Sequence, residues 1–161
     1  MICKIISGGQ AGVDRAALDA AIKLNIPHGG WCPKTRKAED GVIAPRYLLE
    51  ETLSEDYSER TVANIRDSHA TLILVTKALA EVSAGTLLTI KKAVQLNKPH
   101  LIINLSQNNI DTDAIKKWLQ DHHITLLNVA GPRESQSPGI YQASLDFLSE
   151  LFAEVTDRSG E

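Results

Sequence analysis

Residues 70–105 read ATLILVTKALAEVSAGTLLTIKKAVQLNKPHLIINL. Two apolar runs, at 70–75 and 99–105, bracket an amphipathic stretch at 85–97. A strand that is apolar throughout is covered on both faces, so the pattern predicts strand, helix, strand with parallel pairing. The alternation continues on either side of this unit. MICKII (1–6) reads as a strand, DRAALDAAIKLN (14–25) as a helix, and HGGWCP (28–33) holds a brief second strand. EDYSERTVANIRDS (55–68) reads as a helix entered near Ser54, and DTDAIKKWLQDHH (111–123) as another. ITLLNV (124–129) is a strand, and PGIYQASLDFLSELFAEV (138–155) is a closing helix with Pro138 near its first turn. The expected fold is α/β, doubly wound, with a mainly parallel sheet and helices on both faces. One domain spans 1–155, and residues 156–161 read as a solvated tail.

Composition narrows the function classes. The 161-residue chain is 43% hydrophobic and 23% charged, the mixture of an ordinary globular domain. A formal net charge of -3 gives no support to nucleic-acid binding by a broad basic surface. No apolar run approaches the roughly 20 residues of a membrane span, and MICKIISGG lacks the segments of a signal peptide. Cys3 and Cys32 form no CxxC pattern, and no His, Cys and carboxylate cluster has metal-ligand spacing. A cytoplasmic protein without a directly ligated metal is expected.

In such folds ligands bind outside the carboxyl ends of the strands, so the loops leaving those ends carry the functional signal. The first, SGGQAGVDR (7–15), holds Ser7, Gly8, Gly9, Gln10, Gly12 and Arg15. Glycines permit close backbone approach, and the following helix start is an anion site. Arg15 opposes the helix dipole there, a cost that a bound phosphate would offset. A plain strand-to-helix turn explains the glycines as well, and pairing with Asp19 explains Arg15. The pattern is neither GxGxxG nor GxxxxGK[ST], so no dinucleotide or ATP site follows from it. Gly85 and Thr86 form a second glycine corner, where Thr86 is either an N-cap or a phosphate ligand. Arg133 leaves the last strand at the same edge.

Together the blocks SGGQAGVDRAALDAA, PHGGWCPKTRKAEDG, ETLSEDYSERTVANIRDSHATLIL, GTLLTIKKA and NVAGPRESQSPGIY resemble the molybdenum carrier family, in the family's order and over nearly the whole chain. The resemblance implies a Rossmann-like fold and a bound molybdenum cofactor or nucleotide, with any molybdenum arriving already held by its pterin. It also implies a distant relation to the lysine-decarboxylase-like, or "lonely guy", phosphoribohydrolases. Three positions depart from the family pattern: Ala11 replaces a threonine, Ala84 a glycine and His69 an aspartate. Thr89 stands where the phosphoribohydrolases carry a glutamate, which removes support for their hydrolysis.

The segment from Cys32 to Ser58 is longer than an ordinary connection. Lys34, Arg36 and Asp40 are candidate contacts to a ligand, while Lys37 and Glu39 read as solvated. Trp31, beside Gly29 and Gly30, offers a surface for stacking a pterin or purine, with a core position as the plainer alternative. Tyr57, Arg60, Thr61 and Asn64 share one helix face, either solvated or turned to the site. The expected function is a carrier of a phosphate-bearing heterocycle. The alternatives are a small hydrolase or transferase acting on a nucleotide-derived substrate, and a sensor whose homo-oligomeric state follows ligand occupancy.

Overall fold

A computed structural model describes residues 1–78 and 81–156. The principal strands are β1 (Lys4–Ile6), β2 (His28–Gly29), β7 (Ala70–Val75), β8 (His100–Asn104) and β9 (Leu126–Ala130). They form one sheet in the order β2-β1-β9-β7-β8, with every pairing parallel. The last strand therefore lies between the first strand and β7. Counted from β9 onward through β1, β2, β7 and β8, this is the 3-2-1-4-5 order of a doubly wound sheet. The chain is that sheet opened at a different point. Ile2 bridges Thr156 and its N–H donates to the Val155 carbonyl at 2.9 Å, so the two ends of the fold are neighbours.

Alternation within the strands assigns the layers. Ile5, Leu72, Leu74, Leu127 and Val129 pack on helices α1 (Val13–Lys23), α4 (Thr112–Asp121) and α5 (Ile140–Val155). Thr71, Ile73 and Asn128 alternate to the opposite face, on the side of α2 (Tyr57–Arg66) and α3 (Ala84–Gln95), which pack against each other. All six residues of β7 are buried, as its unbroken apolar pattern requires. Among the described residues, no helix is long and apolar enough to cross a membrane.

Helix boundaries shift from the sequence expectation by their caps. Asp56, not Ser54, caps α2 by accepting from the Ser58 N–H at 2.9 Å. Ser83 caps α3 by accepting from Thr86 N at 3.3 Å, so Thr86 is a capped residue and not the cap. Helix α5 opens at Ile140 after Gly139 in the left-handed region, which leaves Pro138 outside its first turn. Thr156, expected to begin the tail, is buried, and its hydroxyl donates to the Phe152 carbonyl; residues 157–161 lie outside the described residues.

The long segment after β2 is ordered. It contains a short 3-10 turn at Lys34–Arg36 and two small pairings: β3 (Trp31–Cys32) with β6 (Glu50–Glu51), and β4 (Lys37–Ala38) with β5 (Gly41–Val42). Ile43 and Tyr47 bury against Leu18 and Cys32 in a second small core. Arg36 organises the loop from inside, donating to the carbonyls of Ile43, Ala44, Tyr47 and Leu49 at 2.8–3.2 Å. Its guanidinium is engaged within the loop, and it is not among the residues lining the cavity described below.

Gly131, just past β9, has no room for a side chain: a Cβ there would overlap the Leu74 carbonyl and the Val13 side chain. Gly85, inside α3, has only Ser83 Oγ at 4.0 Å from such a Cβ. Gly131→Ala is therefore expected to cost about 1–3 kcal/mol through overpacking. Gly85→Ala should stabilise by about 0.5–1 kcal/mol through helix propensity. Urea titration of the two variants beside the wild type checks both signs.

Candidate functional site

A cavity of about 110 Å³ lies outside the carboxyl ends of β1 and β9, roofed by α2 and α3. Gly8 and Gln10 reach it from the first loop, and residues 128–131 and Arg133 from β9 and the loop that follows it. Tyr57, Arg60 and Asn64 come from α2, and Gly85, Thr86 and Thr89 from α3. The buried lining residues Gln10, Asp14 and Asn128 form its floor, and Thr86 and Thr89 are buried in its roof; the part-exposed Tyr57, Ser58, Arg133 and Gln136 form its mouth. The shared face of Tyr57, Arg60, Thr61 and Asn64 is thus turned to the site.

Asp14 and Arg60 set the electrostatics. The Arg60 guanidinium meets the Asp14 carboxylate at 2.6 Å, with side-chain exposures of 13% and 7%. Burial pushes the Asp14 carboxyl above its ordinary range, and Arg60, the Gln10 N–H and Arg15 oppose that rise. Gly8 makes room for the pair, because a Cβ there would strike the Arg60 guanidinium. Asp14 is therefore more than a first-turn carboxylate; it anchors α2 to the first loop.

Around the mouth, the Tyr57 ring carries three cations within cation–π reach: Lys37 and Arg133 at 5.7 Å and Arg60 at 5.6 Å from its centroid. Arg60 is neutralised by Asp14. Among the described residues the carboxylate paired with Arg133 is Glu39, at 3.9 Å. Glu39, read as solvated in the sequence, is exposed; it also accepts from the Ser135 N–H at 3.1 Å and from its hydroxyl, tying the β4–β5 hairpin to the last loop.

Several backbone donors of the first loop are engaged internally: Gly9 N with Ser7 Oγ, Gln10 N with Asp14 Oδ2, Ala11 N with Gln10 Oε1, and Val13 N with the Pro132 carbonyl. Gly9 and Gly12 have positive φ, and the space beside them is filled by Leu49 and Ile43, and by the Pro132–Glu134 backbone, respectively. Their role is close chain packing. Arg15 turns away from the cavity. It donates to the Gly9 carbonyl at 3.0 and 3.1 Å and holds Asp40 through two bonds at 3.0 and 3.1 Å. Its first-turn position is compensated by these partners, and its carboxylate partner is Asp40 and not Asp19. Asp19 accepts instead from the Tyr47 and Tyr141 hydroxyls at 2.6 and 2.5 Å, in a separate, open hollow that Arg15 borders.

Trp31 and Lys34 also lie outside the cavity lining. The Trp31 indole N–H donates to Asp67 at 2.8 Å, and its backbone is clasped by the Asn64 amide at 2.7 and 2.9 Å. Lys34 is exposed in the 3-10 turn. Cys32 is buried, and burial raises its thiol, which disfavours the nucleophilic thiolate. Among the described residues no group of three or more His, Cys, Asp or Glu converges.

Gln10 and Asn128 are the unusual floor residues. Gln10 Oε1 accepts from the Ala11 N–H at 3.0 Å and the Glu39 N–H at 2.8 Å. Two backbone donors fix the orientation of that amide. Its Nε2 is left buried without a partner, a loss of about 1–3 kcal/mol unless something else accepts from it. Asn128, which reasoning from sequence misses, donates from Nδ2 to Thr71 Oγ1 at 3.1 Å. Its signal is a lone amide inside the apolar run ITLLNV.

The ion pairs of this region are open to stability tests. Arg60→Leu strands the Asp14 charge and should cost about 3–5 kcal/mol in urea unfolding; the Asp14→Asn, Arg60→Leu double variant should lose less than Arg60→Leu alone. Asp67, bonded to Arg66 and Trp31, has its carboxyl held down at about 2. Its folded value lies below the unfolded one of about 4, so its stabilisation is present above pH 4 and is lost as pH falls toward 2. Asp67→Asn should flatten that part of an acid titration followed by Trp31 fluorescence.

The model of the circularly permutated YpsA SLOG family matches residues 5–152. A crystal structure of a protein named "putative molybdenum carrier protein", from Syntrophus aciditrophicus SB, is similar at a TM-score of 0.84. The two sequences are 48% identical, and the match covers 94% of each chain. No curated protein matches.

Proposed function

The chain belongs to the circularly permutated YpsA SLOG family, and from that premise we propose that it binds and carries a small phosphate-bearing heterocycle, a molybdopterin-type cofactor or a nucleotide. The observation that carries this reading is the cavity itself: a polar cleft outside the carboxyl ends of β1 and β9 in a doubly wound sheet, with the start of α3 and Arg133 at its mouth. A protein 48% identical is named "putative molybdenum carrier protein". The metal would arrive as cargo, held by its own pterin.

The anion site moves from the first loop to α3. Ser83 occupies the Thr86 N–H, while Gly85 lines the cavity and is exposed. Backbone N–H groups and the helix dipole at that end favour a phosphate, and Arg133 adds a charge-assisted donor. Tyr57, with Lys37 and Arg133 beside it, supplies an apolar face next to positive charge for the ring-to-phosphate junction.

Carriage is favoured over turnover by the state of Asp14. It is the carboxylate among the cavity's lining residues, and Arg60 and the Gln10 N–H already occupy it. A carboxylate so held is a poor general base or nucleophile. The two free cysteines are consistent with a reducing cytoplasm, where we place the protein.

Native mass spectrometry of freshly purified protein should reveal a co-purifying phosphorylated heterocycle, and added nucleoside monophosphates should raise Tm by mass action. Arg133→Gln should weaken their binding about tenfold, as loss of one charge-assisted contact. Absence of both a co-purifying ligand and any thermal response would overturn the binding reading. Ribose 5-phosphate release from nucleoside monophosphates, surviving purification to homogeneity, would replace carriage with hydrolysis.

A further inference from the structure

We propose that the floor of the cavity reads a lactam edge, a ring carbonyl beside a ring N–H, and that Gln10 and Asn128 are the residues that read it. The proposal rests on the ligand-binding reading above and adds the chemical class and orientation of the ring.

The two amides come to one cavity from adjacent strands. Asn128 of β9 pairs across from Ile6 of β1, and Gln10 lies four residues beyond Ile6 in the loop that leaves that strand. Both line the cavity, and both are more than nine-tenths buried, with exposures of 4% for Gln10 and 3% for Asn128. Each has one half committed to protein. Gln10 Oε1 is held by two backbone N–H groups, which leaves Nε2 buried with donors and no acceptor. Asn128 Nδ2 is held by Thr71 Oγ1, which leaves Oδ1 as its acceptor, met by no donor among the described residues. One unmatched donor and one unmatched acceptor, both uncharged, thus share the floor.

Charge decides which end of a ligand goes there. The charges at the floor are those of Asp14 and Arg60, and they compensate each other at 2.6 Å. A phosphate at the floor would find no uncommitted cation and would sit close to the Asp14 carboxylate. Arg133 and the start of α3 are at the mouth instead. The uncharged ring therefore points inward and the phosphate outward. A lactam meets both amides at once, its carbonyl accepting from Gln10 and its N–H donating to Asn128. A ring without that pair leaves the buried Gln10 Nε2 without an acceptor and Asn128 Oδ1 without a donor, the situation in which hydrogen-bonding sites discriminate most strongly.

The test compares guanosine 5′-monophosphate with 2-aminopurine riboside 5′-monophosphate, which has the same shape but lacks the ring carbonyl and its adjacent N–H. Calorimetric titration of wild-type protein should show about tenfold or greater preference for the guanine nucleotide. Asn128→Leu, with its fold checked by circular dichroism, should reduce that preference to about twofold or less. Equal binding of the two nucleotides by the wild type would overturn the lactam proposal while leaving the phosphate-ligand reading intact. A preference that survives in Asn128→Leu would overturn the assignment to Asn128. Binding of neither nucleotide, nor of a pterin monophosphate, would overturn both readings together. The nucleotide pair needs no variant, so the comparison stands even where a substitution disturbs the fold.

Discussion

The position of β9 between β1 and β7 is the constraint on which the site depends. It places Asn128 beside Ile6 on one side and Thr71 on the other, and it delivers the 131–137 loop next to Gly12 and Gln10. Gly131 allows the passage, since any side chain there would collide with Leu74 and Val13. The first loop of the chain and the last are thus two walls of one cavity, although more than a hundred residues separate them. The Ile2–Thr156 bridge shows why this opening of the sheet is tolerated: with the ends adjacent, moving the break from before β9 to before β1 leaves the packed layers unchanged.

The elements were legible because burial writes itself into composition. β7 is apolar at nearly every position because helices cover both faces, and the alternation with helices marks the sheet as parallel. The strand order was not legible. It depends on pairings between distant segments, and nothing in ITLLNV distinguishes a central strand from an edge strand. The clearest trace of centrality, the lone Asn128, looks like noise until its place at the cavity floor is known.

Site residues were legible as a group but not individually. Glycines at a strand-to-helix corner look alike whether they make room for phosphate or for another chain segment. Gly8 admits Arg60, Gly9 admits Leu49 and Ile43, and Gly12 admits the last loop. Arginines near such glycines are ambiguous for the same reason, because a guanidinium satisfies carbonyls and carboxylates as readily as a ligand's oxygens. Spacing along α2 grouped Tyr57, Arg60, Thr61 and Asn64 correctly, but only the partner, Asp14 in a different helix, gives that face its direction.

Arg15, Arg36, Arg60 and Arg133 divide the labour, and their division explains the polarity of the cavity. Arg36 closes the flap on four carbonyls, Arg15 joins the first loop to the hairpin through Asp40, and Arg60 neutralises Asp14. Each of these charges is consumed by an internal partner, which is what allows polar loops to be ordered so close to an apolar sheet. Arg133, with Glu39 no nearer than 3.9 Å and one face toward Tyr57, is the exception, and it stands at the mouth. A cleft with compensated charge inside and an under-compensated cation outside draws an anion to its entrance and leaves its depth to hydrogen-bonding groups without charge. The same arrangement keeps the buried carboxylate quiet, since a base able to attack a bound ring would have to be released from Arg60 first. On the carrier reading proposed above, the physics that builds the floor as a charge-compensated, amide-lined surface is therefore also what suits the cavity to holding a ligand rather than breaking it.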